Sequence, residues 1–150
     1  LEDLLIAATR DGKPLSVVYA DLDHFKQVND EFGHSAGDVV LQELAEILRG
    51  AVRYTGPDKD LVARMGGEEF CVALPITEEQ AVARAHVIHR KIREHPFPEV
   101  GRRTASIGIR SWDPSLGAIT VDEFLKQADE AMYHQKQNGR DGVTRYEDIA

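Results

Sequence analysis

The sequence lacks the features that define several classes of protein. Its 150 residues contain one cysteine, Cys71, which excludes an intramolecular disulfide framework. Cys71 lies in the apolar run 70–74, so we interpret it as a small core residue rather than a reactive thiol. No apolar run approaches the roughly 20 residues that span a bilayer, and the N-terminus carries no signal-peptide pattern. We therefore expect this part of the protein to make no membrane contact.

Internal repeats and Pro- or Ser-rich linkers are also missing. The 150 residues match the usual size of one domain, so residues 1–150 are predicted to fold as a single unit. Residue 1 is leucine rather than methionine. We expect the chain to be excised from a longer multidomain protein.

Positive charge is in deficit, with 18 Lys and Arg residues against 26 Asp and Glu residues and a formal net charge of −8. A protein that binds duplex nucleic acid is usually basic, because neutralising phosphates supplies most of its affinity. We therefore expect no nucleic-acid partner. An acidic protein still binds a nucleotide when metal ions lie between its carboxylates and the phosphates.

The hydrophobic pattern predicts strands and helices in mixed order. Residues 15–22 form an unbroken apolar run typical of a central strand buried on both faces. The polar stretch 23–38, which contains Gly33 and Gly37, follows it without a predicted helix or strand. The other predicted elements are a helix ending at Thr9, an amphipathic helix over 40–54, hairpin strands 61–65 and 70–74, a helix opened by the capping box 77–80, a strand over 104–109, a helix from the capping box 120–123 to Asn138–Gly139, and a strand over 143–146. This order indicates an α/β (α+β) sandwich.

Three acidic residues occupy unusual positions. Asp21 falls at the end of the buried strand, and Glu68 and Glu69 follow the glycine pair Gly66–Gly67 of the hairpin. If the strand pairs beside the hairpin, these carboxylates converge, and two of them about 4 Å apart repel by about 4 kcal/mol at an effective dielectric near 20. Such a cluster needs cations, and oxygen-only ligands select Mg²⁺ or Mn²⁺. The alternative is that each is a solvated turn residue.

Two further groups of polar residues admit two interpretations each. Asn29 and Asp38 offer a donor and acceptor surface to a purine edge, or else Asp38 caps the long helix beside turns at Gly33 and Gly37. Lys136 and Arg140 lie at the end of the last helix, where they provide cations for a triphosphate or complement the helix dipole.

Three separated blocks resemble the GGDEF family, the diguanylate cyclases. Residues 21–26, followed by Asn29–Asp30 and 33–38, are similar to the first block of that family. Residues 64–70, Arg-Met-Gly-Gly-Glu-Glu-Phe, are similar to its eponymous hairpin, with Glu in place of the first acid. Residues 106–108 and 128–140 complete the resemblance. It extends over residues 15–146.

The resemblance implies a palm-like nucleotide-cyclase fold with a central mixed β-sheet flanked by helices. It also implies that two GTP condense into cyclic di-GMP with release of two pyrophosphates. Each domain of a homodimer would hold one GTP, and an upstream sensory or regulatory domain would control dimerisation. GTP as substrate points to the cytoplasm, although the parent protein could be membrane-anchored.

The resemblance also implies residue roles. Asp21, Glu68, Glu69 and the backbone carbonyl of Leu22 are the expected ligands of Mg²⁺ or Mn²⁺, two ions per active site, and Glu69 is implicated in activating the attacking hydroxyl. The expected substrate contacts are Asn29 and Asp38 on guanine, Lys136 and Arg140 on the triphosphate, the backbone amides near Phe25 and Lys26 on the terminal phosphates, and Gly66 and Gly67 close to the nucleotide.

The chain departs from the family pattern in three places. The inhibitory product site of many members has an Arg-x-x-Asp motif, and here Pro57 stands at the arginine position while Asp60 matches. We therefore predict weak or no feedback inhibition there. The opening turn before the first helix is absent, and Asp141 stands where the family usually has Asn. The alternatives to an active cyclase are a non-catalytic module that binds GTP or cyclic di-GMP, and a cyclase for another purine triphosphate.

Overall fold

A five-stranded mixed sheet forms the centre of the computed structural model, which describes residues 1–52 and 59–150. The strands are β1 (Leu15–Leu22), β2 (Leu61–Gly66), β3 (Glu69–Leu74), β4 (Ala105–Trp112) and β5 (Gly142–Arg145). Their order across the sheet is β2-β3-β1-β4-β5, with β4 and β5 parallel and the other neighbours antiparallel. All eight residues of β1 are buried, so the predicted central strand is confirmed.

Helices cover both faces of this sheet. They are α1 (Glu2–Asp11), α2 (Phe25–Phe32), α3 (His34–Gly50), α4 (Glu78–Glu94) and α5 (Val121–Gln137), with 3₁₀ turns over Pro114–Leu116 and Tyr146–Asp148. Alternate residues of β1 divide the core into two layers. Val18, Ala20 and Leu22 pack with α2, α3 and α4. Val17 and Tyr19 pack with α1 and α5. The predicted sandwich fold is confirmed.

The polar stretch 23–38, for which the pattern predicted no helix, is largely helical. Phe25–Phe32 is helical, and α3 already begins at His34, so the two helices are separated by Gly33 alone. Gly33 has a φ of 87°, which a glycine adopts without steric cost. The predicted end of the long helix also differs. The helix ends at Gly50, and residues 53–58 lie outside the described residues.

The following elements lie close to where the local sequence patterns predict them. Thr77 and Gln80 form both hydrogen bonds of the predicted capping box at the start of α4. The predicted strand over 104–109 extends to Trp112, and the last strand ends at Arg145. Cys71 is buried, and burial raises the pKa of its thiol to about 12, so its assignment to the core is confirmed.

Helix α5 lies directly on β4 because Gly108 has no side chain. A Cβ at this position would overlap the backbone of Ala128 and Met132, which cannot move independently of the helix. This contact brings the C-terminal half of α5 to the end of β1. Within the described residues, no helix is long and apolar enough to cross a membrane.

Candidate active site

Asp21 and Glu69 are directly opposite each other on adjacent strands. Asp21 is the penultimate residue of β1, and Glu69 is the first residue of β3. Cross-strand partners in an antiparallel pair have Cβ atoms about 5 Å apart. Because β1 lies beside the hairpin, the sheet brings together two of the three carboxylates that the sequence singled out. The third, Glu68, lies next to Glu69 and is partly buried.

The hairpin turn is one residue later than predicted. Gly66 pairs with Glu69, so the two turn residues are Gly67 and Glu68 rather than the glycine pair. Gly67 has a φ of 49°, and its carbonyl accepts a hydrogen bond from Arg64 Nε at 2.9 Å. The turn thus holds Glu68 beside the start of β3.

Asp21 is buried at the centre of this cluster, with 1% of its surface exposed. Its Oδ2 forms an ion pair with Lys136 Nζ, which reaches it from α5. Its Oδ1 is buried without a hydrogen-bond partner. Burial raises the pKa of Asp21 to about 6, while Lys136 opposes the rise and Glu68 and Glu69 add to it. A buried carboxylate oxygen without a partner carries a desolvation cost that a bound cation would remove.

This donor set fits a hard divalent cation in its chemistry. Asp21, Glu68, Glu69 and the Leu22 carbonyl offer only oxygen, and Asp21 Oδ1 is the buried acceptor that lacks a partner. The side chains are not gathered around one point, however. Within residues 1–52 and 59–150, no three His, Cys, Asp or Glu side chains are arranged so that they could hold a metal ion. Lys136 neutralises Asp21 instead.

Asp129 on α5 is a fourth acid near this cluster, and the sequence pattern alone assigns it no role. Burial raises the pKa of Glu69, and the charge of Asp129 is the second cause. Burial raises the pKa of Tyr19 to about 12, and the charges of Glu69 and Asp129 add to the rise. Asp129 and Lys136 are seven residues apart, which places them on one face of a helix. This seven-residue spacing is the feature of the sequence that could have pointed to Asp129.

Asn29 and Gly37 mark the close contact between α2 and α3. A Cβ on Gly37 would overlap Asn29 Oδ1, so only glycine leaves room for the asparagine. The alternative in which Gly37 forms a turn and Asp38 caps the helix is wrong, because both lie within α3. Asp38 is exposed, and it lines a cavity of about 380 Å³ between α3 and the hairpin together with Leu41, Gln42, Ala45, Arg49, Val62, Arg64 and Phe70.

Phe25 and Lys26 form the first turn of α2, next to the end of β1. His24 precedes them with a φ of 59°, and the first intrahelical bond there runs from the Val28 N–H to the His24 carbonyl. The amides of the first turn of a helix have no partner within the helix, so those of Phe25 and Lys26 are available to an anion. Phe25 is buried, whereas the Lys26 side chain is exposed.

The two cations predicted from the sequence, Lys136 and Arg140, differ in their contacts and exposure. Lys136 is in the last turn of α5 and contacts Asp21, whereas Arg140 is exposed in the turn between α5 and β5. Arg140 has a φ of 58°, and Asp141 has a φ of 43°. A neighbouring buried acid, Asp23, accepts hydrogen bonds from Thr104 Oγ1 at 2.7 Å and from Ser106 Oγ at 2.6 Å.

Comparison with known proteins decides the family. The family described as "Diguanylate cyclase, GGDEF domain" matches residues 1–142. The chain belongs to the GGDEF family. The five-stranded mixed sheet flanked by helices is therefore that of a GGDEF domain, as the three sequence blocks indicated.

Relatives and solved structures agree with this assignment. The GGDEF domain is 40% identical over 134 residues to "Diguanylate cyclase A" of Treponema denticola, covering 87% of this chain and 34% of that protein. It is 37% identical over 138 residues to "Cyclic di-GMP phosphodiesterase NbdA" of Pseudomonas aeruginosa, covering 88% of this chain and 16% of that protein. The chain thus spans about a third or less of these two relatives.

Among the solved structures, one is similar to this chain over nearly the whole length of both. It is described as the active GGEEF domain of a diguanylate cyclase from Vibrio cholerae. The identity is 33% and the TM-score is 0.86, covering 97% of this chain and 90% of that one. The palm-like cyclase fold expected from the sequence is therefore confirmed.

The segment that would hold an inhibitory product site is only partly described. Pro57, at the position of the family arginine, lies outside the described residues. Asp60 is buried, and its Oδ2 lies 3.6 Å from Arg84 Nη1 on α4. The prediction of weak feedback inhibition therefore stays a prediction.

Proposed function

We propose that this GGDEF domain is a diguanylate cyclase that condenses two GTP into cyclic di-GMP. One observation carries the proposal. Asp21 and Glu69 are paired across β1 and β3, and a buried oxygen of Asp21 lacks a partner. Carboxylates placed in this way at the ends of two neighbouring inner strands suit metal-assisted nucleotidyl transfer. The intact family blocks and the match to an active GGEEF domain support the same reaction.

The reaction needs two domains, each with its own GTP. The 3′-hydroxyl of each GTP attacks the α-phosphorus of the other. A new P–O bond forms, the bond from the α-phosphorus to its bridging oxygen breaks, and pyrophosphate leaves while the hydroxyl loses its proton. Two such steps close the ring and release two pyrophosphates. We therefore propose that the active form is a homodimer.

Diguanylate cyclases of this family are generally divalent-metal dependent. In this chain Asp21, Glu68, Glu69 and the Leu22 carbonyl would hold Mg²⁺ or Mn²⁺, two ions per active site. Bound there, the metal would neutralise the phosphate charge and lower the pKa of the attacking hydroxyl. Lys136 would have to leave Asp21, and the triphosphate is the natural new partner for its ammonium group. We assign Glu69 as the acceptor of the hydroxyl proton.

The guanine base is assigned to the surface between α2, α3 and the hairpin. Asp38 lines the cavity there, and Asn29 is held against Gly37. Guanine presents donors at N1 and N2, which a carboxylate accepts, whereas adenine lacks this pair. Leaving such a polar group unpaired costs about 1–3 kcal/mol, which favours GTP over ATP by about tenfold or more.

The triphosphate is assigned to the opposite side of Asp21. The first-turn amides of α2 at Phe25 and Lys26 offer N–H donors, and Lys136 and Arg140 supply two cations. Gly66 and Gly67 have no side chains, so the nucleotide can approach the hairpin backbone closely. An upstream regulatory domain that brings two copies together, and a cytoplasmic location where GTP is available, complete the proposal.

A second function is favoured by one observation. In the structure Lys136 neutralises Asp21, and among the residues that the structure describes no three His, Cys, Asp or Glu side chains are arranged to hold a metal ion. A domain fixed in that arrangement would bind GTP or cyclic di-GMP without turnover and would regulate a partner. One relative is named as a cyclic di-GMP phosphodiesterase, although this chain covers only 16% of it.

Product analysis with matched variants separates these functions. The domain is incubated with GTP and Mg²⁺, or with ATP and Mg²⁺, and products are identified by chromatography and mass. We expect cyclic di-GMP from GTP only, and none from Glu69→Gln. The matched control Glu79→Gln, an exposed acid on α4, should retain full activity. Bound GTP without product in the unmodified domain would favour the regulatory module, and unchanged activity of Glu69→Gln would refute the site.

A further inference from the structure

The turn that carries Arg140 has an unfavourable backbone conformation. Arg140 and Asp141 are consecutive non-glycine residues in the left-handed region, with φ values of 58° and 43°. L-residues adopt this region at a cost, although Asp and Asn tolerate it better than most. Such a conformation persists only where surrounding contacts hold it. The contacts of this turn therefore fix the backbone position from which the Arg140 side chain extends.

Gln135 holds the Arg140 side of the turn. Its backbone carbonyl accepts from the Arg140 N–H at 2.9 Å, and its side-chain amide donates to the Arg140 carbonyl at 2.8 Å. Thr144 Oγ1 donates to Gln135 Oε1 at 2.7 Å, which fixes that amide. A Cβ on Gly142 would lie 2.6 Å from Gln135 Nε2, so the turn packs closely against the end of α5.

Asp141 holds the other side of the turn through three contacts. Its backbone N–H donates to Asp23 Oδ2 at 2.9 Å, which ties the turn to the segment after β1. Its carboxylate accepts from His89 Nε2 at 2.7 Å, and Arg93 Nε lies 3.6 Å from its other oxygen. Both of these residues are on α4. The side chain of Asp141 is thus the connection between the turn and α4.

We propose that Asp141 is a positioning residue for Arg140 and that His89 is its principal anchor. The inference rests on the proposed function, in which Arg140 contacts the triphosphate. Asp141 does not touch the nucleotide in this account. It keeps the turn in its left-handed conformation, so that the guanidinium of Arg140 is preorganised for the phosphates. Arg93, whose side chain is 63% exposed, adds a weaker contact.

The test measures nucleotide binding without turnover. The probe is 3′-deoxy-GTP with Mg²⁺, which has no attacking hydroxyl, and its dissociation constant is measured by titration calorimetry. Arg140→Ala should weaken binding about tenfold or more, the usual effect of losing a charge-assisted hydrogen bond. Asp141→Ala should weaken it severalfold, and Asp141→Asn, which keeps the acceptor and tolerates the left-handed region, should restore it.

A double variant distinguishes positioning from a separate contact. If Asp141 acts through Arg140, then Arg140→Ala with Asp141→Ala should bind no more weakly than Arg140→Ala alone. His89→Ala, which leaves the turn sequence unchanged, should weaken binding in the same direction as Asp141→Ala. If Asp141→Ala fails to fold, His89→Ala provides the test in its place. His86→Ala, an exposed histidine on the same helix, is the matched control and should bind as the unmodified domain does.

Three results would overturn the proposal. They are unchanged binding in both Asp141→Ala and His89→Ala, losses that multiply in the double variant, and no loss in Arg140→Ala. A domain that binds 3′-deoxy-GTP but makes no cyclic di-GMP from GTP would refute the proposed cyclase activity while leaving this test intact.

Discussion

Lys136, in the last turn of α5, forms an ion pair with Asp21 at the end of β1, although 115 positions separate them in the chain. The pair joins the two halves of the proposed site. It also explains how a buried carboxylate with one unpartnered oxygen is tolerated when no other cation is present. The same lysine is the cation that we assign to the triphosphate.

Removing this lysine should destabilise the metal-free domain. In Lys136→Ala the Asp21 carboxylate stays buried without a cation, and we expect a loss of about 1–3 kcal/mol in the free energy of unfolding at pH 8, the usual cost of an unsatisfied buried acceptor. Urea unfolding in the presence of EDTA measures it. Lys126→Ala is the control, because its pair with Glu130 is exposed, and it should change stability by about 0.5 kcal/mol or less. Equal losses in the two variants would contradict the role of the pair.

A methyl group on Gly37 should displace Asn29. We expect Gly37→Ala to change stability by less than about 1 kcal/mol, because the atom that the methyl group would overlap is the end of the movable Asn29 side chain and alanine has the higher helix propensity. Its affinity for GTP should fall, and its preference for GTP over ATP should shrink. Gly50→Ala at the end of the same helix meets open space and serves as the control. Unchanged GTP affinity in Gly37→Ala would argue against the guanine assignment.

The carboxyl pair of Glu78 and Glu147 should make stability depend on pH. Burial raises the pKa of Glu78, and the Glu147 hydrogen bond and charge raise it further. A carboxyl with a raised folded-state pKa binds more protons in the native state, so its contribution to stability decreases as pH rises above its ordinary value of 4.5.

We therefore expect Glu147→Gln to be more stable than the unmodified domain at pH 7, by about 0.5 kcal/mol, with the difference vanishing below about pH 4. Urea unfolding across this range measures it. Glu79→Gln, which lies beside Glu78 in the first turn of α4, should instead be slightly less stable at pH 7, because a negative charge there favours the helix. A Glu147→Gln variant that is less stable at pH 7 would refute the repulsion.

The buried thiol should be chemically silent in the folded domain. Cys71 is buried, and its raised pKa leaves it protonated at pH 8. We expect no reaction with a disulfide reagent in native buffer and one thiol per chain in urea. Rapid labelling of the native protein would mean that β3 opens readily.

Local patterns were sufficient to predict most of the fold. The unbroken apolar run of β1 and the complete capping box of α4 are determined by neighbouring residues, so both were found. Helix α2 was missed because only Phe25 and Val28 are buried in it, which is too short a pattern to show a period. Gly37 was misassigned because its function is to leave space for Asn29, a tertiary contact that no spacing reveals.

The candidate site likewise contains contacts that the sequence predicts and contacts that it does not. Asp21 and Glu69 could be predicted to meet because each lies at the end of an apolar run and neighbouring strands bring such ends together. The Lys136–Asp21 pair and the Asp141–His89 contact join distant parts of the chain through the packing of α4 and α5 on the sheet. Their geometry follows from helix placement, which the sequence pattern does not specify.

The decisive measurement for the proposed reaction is the rate of cyclic di-GMP formation as a function of protein concentration. The unmodified domain is incubated with GTP and Mg²⁺ over a wide range of concentrations, and product is identified by chromatography and mass. We predict cyclic di-GMP with a specific activity that rises with protein concentration, because two domains must meet. GTP binding without cyclic di-GMP at any concentration, even in a domain fused at its N-terminus to a dimerising coiled coil, would contradict it.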